Sequence, residues 1–505
     1  MDNIFIQLAI ILGLSSVLGF IVSRFKLPLL IAYLFGGLLL AITSIFDVKT
    51  SEVFHFLPEI GIAFVLFLVG MELDIREIKN LGKPIIAAGT LQIIITTILG
   101  FSITRAFGFA EVGSWYLGVG LAFSSTILVI KLLLDKKDIT GLYGKLSIGI
   151  LLLEDLLAVI LLLFLTVSTS VLDLGFQQAF PFLTLVVKAA LLFGLASVLS
   201  RHILSSVFKA VSRQPELLFL TALAWCFIYI SFAIFLGFSV VIGAFLAGVT
   251  LASSPFHFQI QGKVKPLRDF FVTLFFVYLG TQVDFTDFAK IYPVMIIFTG
   301  YTLLIKPAIF LLILGAFGFS KHTMFHTALT LTHISEFSLI IILVGLKLGA
   351  VSQNALTTIA LSGVLSMIIA SVMITHSNKL YKKLPSLLSF FERKNFRHQL
   401  ESGVVDRLTD HVVVIGGHKV GGELVKFFQK EKVPQIVLDF NPHHIERLHN
   451  EGINAMYGDM GDPDVLENLN LAEAKLVIST AQDIDDNLLL LEELKSRKIN
   501  IRACY

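Results

Sequence analysis

Glu154 and Asp155 stand side by side within 143–169, a stretch that is otherwise almost uniformly apolar. A carboxylate deep in a bilayer costs about 2.5–3.5 kcal/mol on insertion scales, so two adjacent ones imply a use. Consecutive helical positions point about 100° apart. One of the pair can therefore face a water-filled cavity while its neighbour faces another helix. A carboxylate in such a cavity can hold a proton or a cation on the same oxygens, but not both, and that alternation is the elementary step of ion-for-proton exchange. Lys306, just before Pro307 in the apolar run 290–316, supplies a fixed cation for the other carboxylate. The expectation is Asp155 in the cavity, with Glu154 and Lys306 forming a core salt bridge; the competing reading is one structural network of all three. Glu336 and Ser335, in Thr332-His333-Ile334-Ser335-Glu336-Phe337, form a second candidate polar site. Glu336 shares a face with His333 if that segment is helical. For His333 itself a structural hydrogen bond is the favoured reading.

The elements that must carry these residues are membrane helices. Of 505 residues, 55% are hydrophobic and only 15% charged, against roughly 25% charged in an ordinary soluble domain, which argues against a large soluble enzyme. Runs able to cross about 30 Å of hydrocarbon fall at 3–23, 28–46, 56–73, 84–107, 113–134, 143–169, 182–200, 215–236, 238–252, 266–283, 290–316, 321–347 and 353–377. Lys and Arg accumulate in alternate gaps, which puts the N-terminus outside and the tail in the cytoplasm. Thirteen spans fit two six-span halves, inverted relative to each other, around a linking helix at 182–200. The fifth span of each half is interrupted by hydroxyl residues. Ser124, Ser125 and Thr126 do so in the first half, and Thr330, Thr332 and Ser335 in the second. Such residues satisfy backbone groups where a helix unwinds, which adds Ser125 and Thr126 to Asp155 and Glu154 as the ion- and proton-binding candidates.

The last 105 residues differ in kind. Residues 401–505 carry a net charge of −7, whereas the first 400 carry +9. The expected organisation is a membrane domain over 1–378, a basic connector over 379–405 and an α/β, Rossmann-like domain over 406–505. Apolar runs at 411–415, 435–439 and 475–479 alternate with helical patterns, the signature of a parallel sheet. The turn Gly416-Gly417-His418-Lys419-Val420-Gly421, with Asp439 after the second strand, approximates a dinucleotide fingerprint. Gly416, Gly421 and Asp439 are the nucleotide-binding candidates, with NAD(H) or an adenine nucleotide as regulatory ligand. His418 occupies the place where a glycine would let a pyrophosphate approach. The sequence reaches only a fifth strand, so the domain is expected to be partial or truncated.

Several segments together resemble the monovalent cation:proton antiporters of the second type, which include the Kef-type potassium efflux systems and their sodium/proton relatives. They are Arg24-Phe25-Lys26-Leu27-Pro28 with Gly36-Gly37, Phe67-Leu68-Val69-Gly70-Met71-Glu72-Leu73-Asp74, Ser124-Ser125-Thr126, Gly149 through Asp155, and Phe275-Phe276-Val277-Tyr278-Leu279-Gly280. The resemblance implies an elevator-type antiporter in the plasma (inner) membrane, exchanging Na⁺ or K⁺ for H⁺. It further implies a homodimer whose dimerisation spans are the first three and the eighth to tenth, with spans four to six and eleven to thirteen as mobile core. It assigns alternating cation and proton binding to Asp155. A second acid beside a core lysine is similar to the electrogenic sodium/proton branch. The basic Lys263-Val264-Lys265-Pro266, where Kef-type members are acidic, speaks against glutathione gating.

Other classes fit less well. A nucleotide-gated cation channel is the alternative, yet a potassium-selective one would need a filter such as Thr-Val-Gly-Tyr-Gly, absent from the sequence. A membrane oxidoreductase would need ligands that two cysteines and scattered histidines do not supply. No catalytic cofactor, resident metal or nucleic-acid partner is called for.

Overall fold

Polar and glycine residues at the ends of apolar runs set where the helices begin and stop. In the computed structural model Asn3 accepts from the Phe5 N–H at 2.9 Å to open helix α1, Ile4–Arg24. The structure describes residues 3–25, 27–43, 52–72, 82–136, 138–139, 141–172, 187–188, 191–192, 194–196, 198–199, 204–252, 254–284, 287–391, 408–417, 419–439, 442–458, 460, 465–466, 469–480, 487–488, 490–491, 494–495 and 501–504. The helices that follow are α2 Leu29–Thr43, α3 Glu52–Glu72, α4 Lys83–Ala106, α5 Glu111–Ala122, α6 Thr126–Lys136, α7 Leu142–Leu172 and α8 Ser205–Val211. Next come α9 Pro215–Phe235, α10 Val240–Ala252, α11 His257–Thr281, α12 Phe288–Gly300, α13 Lys306–Ala316, α14 Lys321–Thr330, α15 Glu336–Lys347 and α16 Gln353–Thr375. Short helices α17 Ser377–Tyr381 and α18 Pro385–Phe391 close the membrane part.

Helices therefore stand at each expected span except 182–200, which lies largely outside the described residues. Among the described residues six helical segments are long and apolar enough to cross a bilayer, Ile4–Arg24 and Phe288–Ala316 among them, with shorter apolar helices at Leu29–Thr43, Glu59–Met71 and Val240–Ala252. Three spans are irregular. Extended backbone at Phe123 separates α5 from α6, and 331–335 separates α14 from α15. A π-helical turn at Tyr301–Ile305 joins α12 to α13, where Pro307 has no N–H to donate back into the previous turn.

Two glycine-to-glycine crossings knit α2, α3, α10 and α11 together. A Cβ on Gly280 of α11 would fall 2.2 Å from the Leu34 carbonyl oxygen of α2, and one on Gly37 would fall 1.9 Å from that of Val277. Likewise a Cβ on Gly248 of α10 would meet the Phe67 oxygen of α3 at 2.1 Å, and one on Gly70 would meet that of Phe245 at 2.3 Å. Backbone against backbone cannot yield without parting the helices. Gly280→Ala is accordingly expected to destabilise the protein by about 1–3 kcal/mol, the usual range for overpacking. Gly13→Ala, where a Cβ meets nothing within 4 Å, should leave it unchanged. Thermal unfolding in detergent checks both; equal midpoints would remove the close-packing account.

The tail forms a five-stranded parallel sheet in the order β3-β2-β1-β4-β5, from β1 His411–Ile415, β2 Gln435–Asp439, β3 Ala455–Tyr457, β4 Ala474–Ser479 and β5 Arg502–Cys504. Val413 is in register with Ile436 on one side and Val477 on the other. Every residue of β1 and β2 is buried, as expected for parallel strands covered on both faces. Helices α19 Lys419–Lys430 and α20 Pro442–Asn450 are the crossovers between the first three strands. Strand order reverses between β1 and β4, which is where this architecture places its ligand crevice. His418, residues 392–405 of the connector and residues 406–407 at the start of the tail domain lie outside the described residues.

Candidate functional site

Serines start the second half of each interrupted span. Ser125 Oγ accepts from the Leu128 N–H at 3.3 Å to begin α6, and Ser335 Oγ accepts from the Phe337 N–H at 3.1 Å to begin α15. The two breaks cross. The Ser335 N–H donates to the Phe123 carbonyl at 3.1 Å, and the Ser124 hydroxyl donates to the Leu331 carbonyl at 3.1 Å. His333 Nε2 lies 3.1 Å from the Ser125 nitrogen and 3.2 Å from its carbonyl oxygen, so the ring ties the breaks in either tautomer. The positive ends of α6 and α15 thus converge on one buried point.

Charge gathers around Ser124. Its backbone N–H donates to Glu154 Oε2 at 2.7 Å, and its hydroxyl accepts from Lys306 Nζ at 2.9 Å. Lys306 Nζ also donates to the His333 carbonyl at 3.4 Å. Glu154 and Lys306 are both fully buried. The sequence suggested a direct salt bridge; the structure joins the two through Ser124, with no pair within 4 Å among the described residues, while their charges still act on each other. The unwound backbone provides the reason, since its orphan N–H and hydroxyl take up each ion first. Asp155, one position on, is only partly buried, and Thr126 Oγ1 donates to its Oδ2 at 2.8 Å. The adjacent acids therefore diverge as their helical spacing requires.

Glu336 is the first residue of α15 and is 7% exposed. Because 331–335 is not helical, Glu336 and His333 do not share a helix face, contrary to the expectation. The Glu336 carboxyl oxygen Oε2 is instead buried with no hydrogen-bond partner among the described residues. Ser335, Glu336, Ser125, Thr126, Glu154, Asp155 and Lys306 thus surround one crossing rather than two separate sites.

Sequence reading missed two residues here. Gln92 of α4, fully buried, donates to the Ala122 carbonyl at 2.9 Å, where α5 ends. Ser366 of α16 accepts from the Ile334 N–H at 3.3 Å, in the other break. Both follow from the repeat. Ser125 and Ser335 are equivalent caps 210 residues apart, and the glycine crossings relate Gly37 to Gly248 and Gly70 to Gly280 by 211 and 210. Matched by their hydrogen bonds rather than by that fixed offset, Gln92 answers to Lys306, each donating to a carbonyl of its own half's break. Ser366 answers to Glu154, each accepting a backbone N–H there. Met367 answers to Asp155. Each half thus contributes one ionisable and one neutral member, Glu154 with Gln92 in the first and Lys306 with Ser366 in the second.

In the tail Gly416 has φ +88°, the left-handed region that suits glycine. A Cβ on Gly421 would lie 1.7 Å from the Gly416 carbonyl oxygen, so only glycine fits where α19 passes the turn. Asp439, at the end of β2, accepts from the Gly417 N–H at 2.8 Å and lies 3.3 Å from His444 Nδ1. Gly416, Gly421 and Asp439 hence meet at the crevice end of the sheet.

The chain is 28% identical to the glutathione-regulated potassium-efflux system protein KefC of Enterobacter sp. (strain 638), over 98% of its own length and 78% of that protein's. It is 26% identical to the protein of the same description from Shigella flexneri serotype 5b (strain 8401), over 97% and 77%. A solved structure of the sodium proton antiporter MjNhaP1 from Methanocaldococcus jannaschii at pH 8 superposes with a TM-score of 0.52 at 16% identity, covering 75% of this chain and 98% of that one. That likeness concerns the fold of the membrane part. Residues 412–504 match the TrkA-N domain, the nucleotide-binding module of the tail. Because residues 9–377, a continuous stretch holding every helix of the crossing, match the transmembrane sodium/hydrogen exchanger family, the chain belongs to that family, one of ion transporters and not of enzymes.

Proposed function

We propose that the protein exchanges a monovalent cation, Na⁺ or K⁺, for H⁺ at Asp155. The observation that carries this reading is a partly buried carboxylate, held by the Thr126 hydroxyl, beside a fully buried acid and lysine that share Ser124. Glu154 and Lys306 fix the crossing while Asp155 takes up and releases ions. Helices α1–α3 and α9–α11, locked by their glycines, act as scaffold and homodimer interface. Helices α4–α7 and α12–α16 carry the site past them in an elevator motion. Thirteen spans, with the N-terminus outside and the tail in the cytoplasm of a cell with this plasma membrane, agree with the Lys and Arg alternation. The names of the potassium-efflux relatives and of the sodium proton antiporter leave both cations in play. Protein reconstituted in acid-loaded liposomes should release protons on addition of Na⁺ or K⁺; a fluorescent pH dye reads this across a pH series. No proton movement with either ion or with Li⁺ would overturn the proposal.

The tail is a regulatory nucleotide domain in this reading, with NAD(H) or an adenine nucleotide at the β1–α19 turn. Asp439 is positioned for the ribose hydroxyls while its Oδ2 holds the Gly417 N–H. Asp439→Ala is expected to weaken adenine-nucleotide binding about tenfold, the value of one charge-assisted hydrogen bond. Calorimetry on the full chain measures it, and unchanged affinity would remove Asp439 from the site.

A further inference from the structure

Glu59 of α3 and Lys347, the last residue of α15, form an ion pair at 2.6 Å. The pair joins a glycine-locked helix to a helix of the crossing, and so spans the boundary along which the proposed motion occurs. Beside it lies a cavity of about 180 Å³, bounded by Ile62, Val241 and Leu343 as well as by the pair itself. The boundary here is held at its rim by charge and is loosely filled within.

The inverted repeat specifies a counterpart. Glu59 precedes Gly70 by 11 residues, and Asp269 of α11 precedes Gly280 by 11. Lys347 ends the half-helix begun by Ser335, and Lys136 ends the half-helix begun by Ser125. An inverted repeat places Asp269 and Lys136 on the opposite membrane face, with the same acid-on-scaffold, base-on-core arrangement. There the two are not paired with each other. Asp269 accepts from its neighbour Arg268 at 2.7 Å. Lys136 donates to Ser377 Oγ at 2.8 Å, lies 3.4 Å from Asp138 and sits 5.9 Å from the Tyr143 ring centre.

We propose that Glu59–Lys347 and Asp269–Lys136 are alternating latches, one closed in each access state, so that this conformation is latched on the Glu59 face and unlatched on the Asp269 face. The proposal rests on the exchange reading given above. Both members of the closed pair are about half exposed, and exposed ion pairs shift an equilibrium by about fivefold or less. A latch of that strength biases the resting state and still opens in every cycle. Glu59, Lys347, Asp269 and Lys136 are positioning residues: none touches the transported ion, and each acts through the helix that carries the site or its scaffold.

The test uses the full chain with Cys226→Ala and Cys504→Ser, and two added cysteine pairs: Glu59→Cys with Lys347→Cys, and Asp269→Cys with Lys136→Cys. A reducible bifunctional methanethiosulfonate, about as long as the two lost side chains, bridges each pair. Bridging the first pair is expected to lower exchange at least tenfold, with recovery on adding dithiothreitol. In the four-cysteine protein each molecule should carry one bridge or the other, never both, as read by the masses of its proteolytic fragments. Exchange that persists with the first pair fully bridged, a second pair that never bridges, or both bridges in one molecule would overturn the latches. If the unsubstituted chain moves no ion, the exchange reading fails by itself, and the exclusivity of the two bridges still decides this one.

Discussion

Asp155→Asn is expected to reduce cation-driven proton movement to the level of protein-free liposomes. The side chain keeps its shape, and the Thr126 hydroxyl can donate to the amide oxygen as it does to Oδ2 at 2.8 Å. Folding should therefore be preserved, which separates loss of function from loss of structure. What the amide lacks is the charge that draws a cation and the basicity that takes a proton, and exchange needs both on the same oxygens. Thr126→Val should have a smaller effect, because it removes one hydrogen bond, worth about 1.5–3 kcal/mol when it goes to a charged group, and leaves the carboxylate. Proton movement in liposomes and calorimetric cation binding measure the two variants. Wild-type exchange by a folded Asp155→Asn protein would take the ion site away from this residue.

The acid pair and the lysine are legible in the sequence because an ionised group within a long apolar run has so few bland explanations. Strands 411–415 and 435–439 are legible to the residue, since apolar runs bounded by polar residues leave little choice of register. Ser124 is legible as a helix break, but not as the group that stands between Glu154 and Lys306. A linear pattern names the charges without saying what the unwound backbone offers them. Gln92 and Ser366 give no usable signal alone, because amides and hydroxyls often link membrane helices. Their roles emerge only from the bonds they make in the fold, to the Ala122 carbonyl and the Ile334 N–H. The expectation that Glu336 shares a face with His333 fails because periodicity presumes the helix that 331–335 interrupts.

The hydrogen bonds of the two breaks set the second large effect. Gln92 and Ser366 each satisfy one backbone group of a break without charge, one in each half, so Glu154 and Lys306 use charge for contacts that neutral groups also make. Either ion alone is a different matter. Glu154→Gln leaves the fully buried ammonium of Lys306 without compensation, and Lys306→Gln does the same to the Glu154 carboxylate. Removing one partner of a buried pair costs about 3–5 kcal/mol, whereas replacing both is often neutral. Each single variant is thus expected to unfold at markedly lower temperature and to exchange ions weakly. The double variant Glu154→Gln with Lys306→Gln should recover most of that stability. The amide oxygen introduced by the first substitution can still accept the Ser124 N–H, and the amide nitrogen introduced by the second can still donate to the Ser124 hydroxyl. With Asp155 intact the double variant should also exchange ions, with a changed pH profile because the neighbouring charges are gone. Unfolding midpoints of the four proteins in a double-mutant cycle, alongside liposome exchange, carry the test. Additive losses would mean that Glu154 and Lys306 do not act as a pair. Exchange abolished by Glu154→Gln in a stable protein, yet surviving Asp155→Asn, would reverse the roles of the two acids.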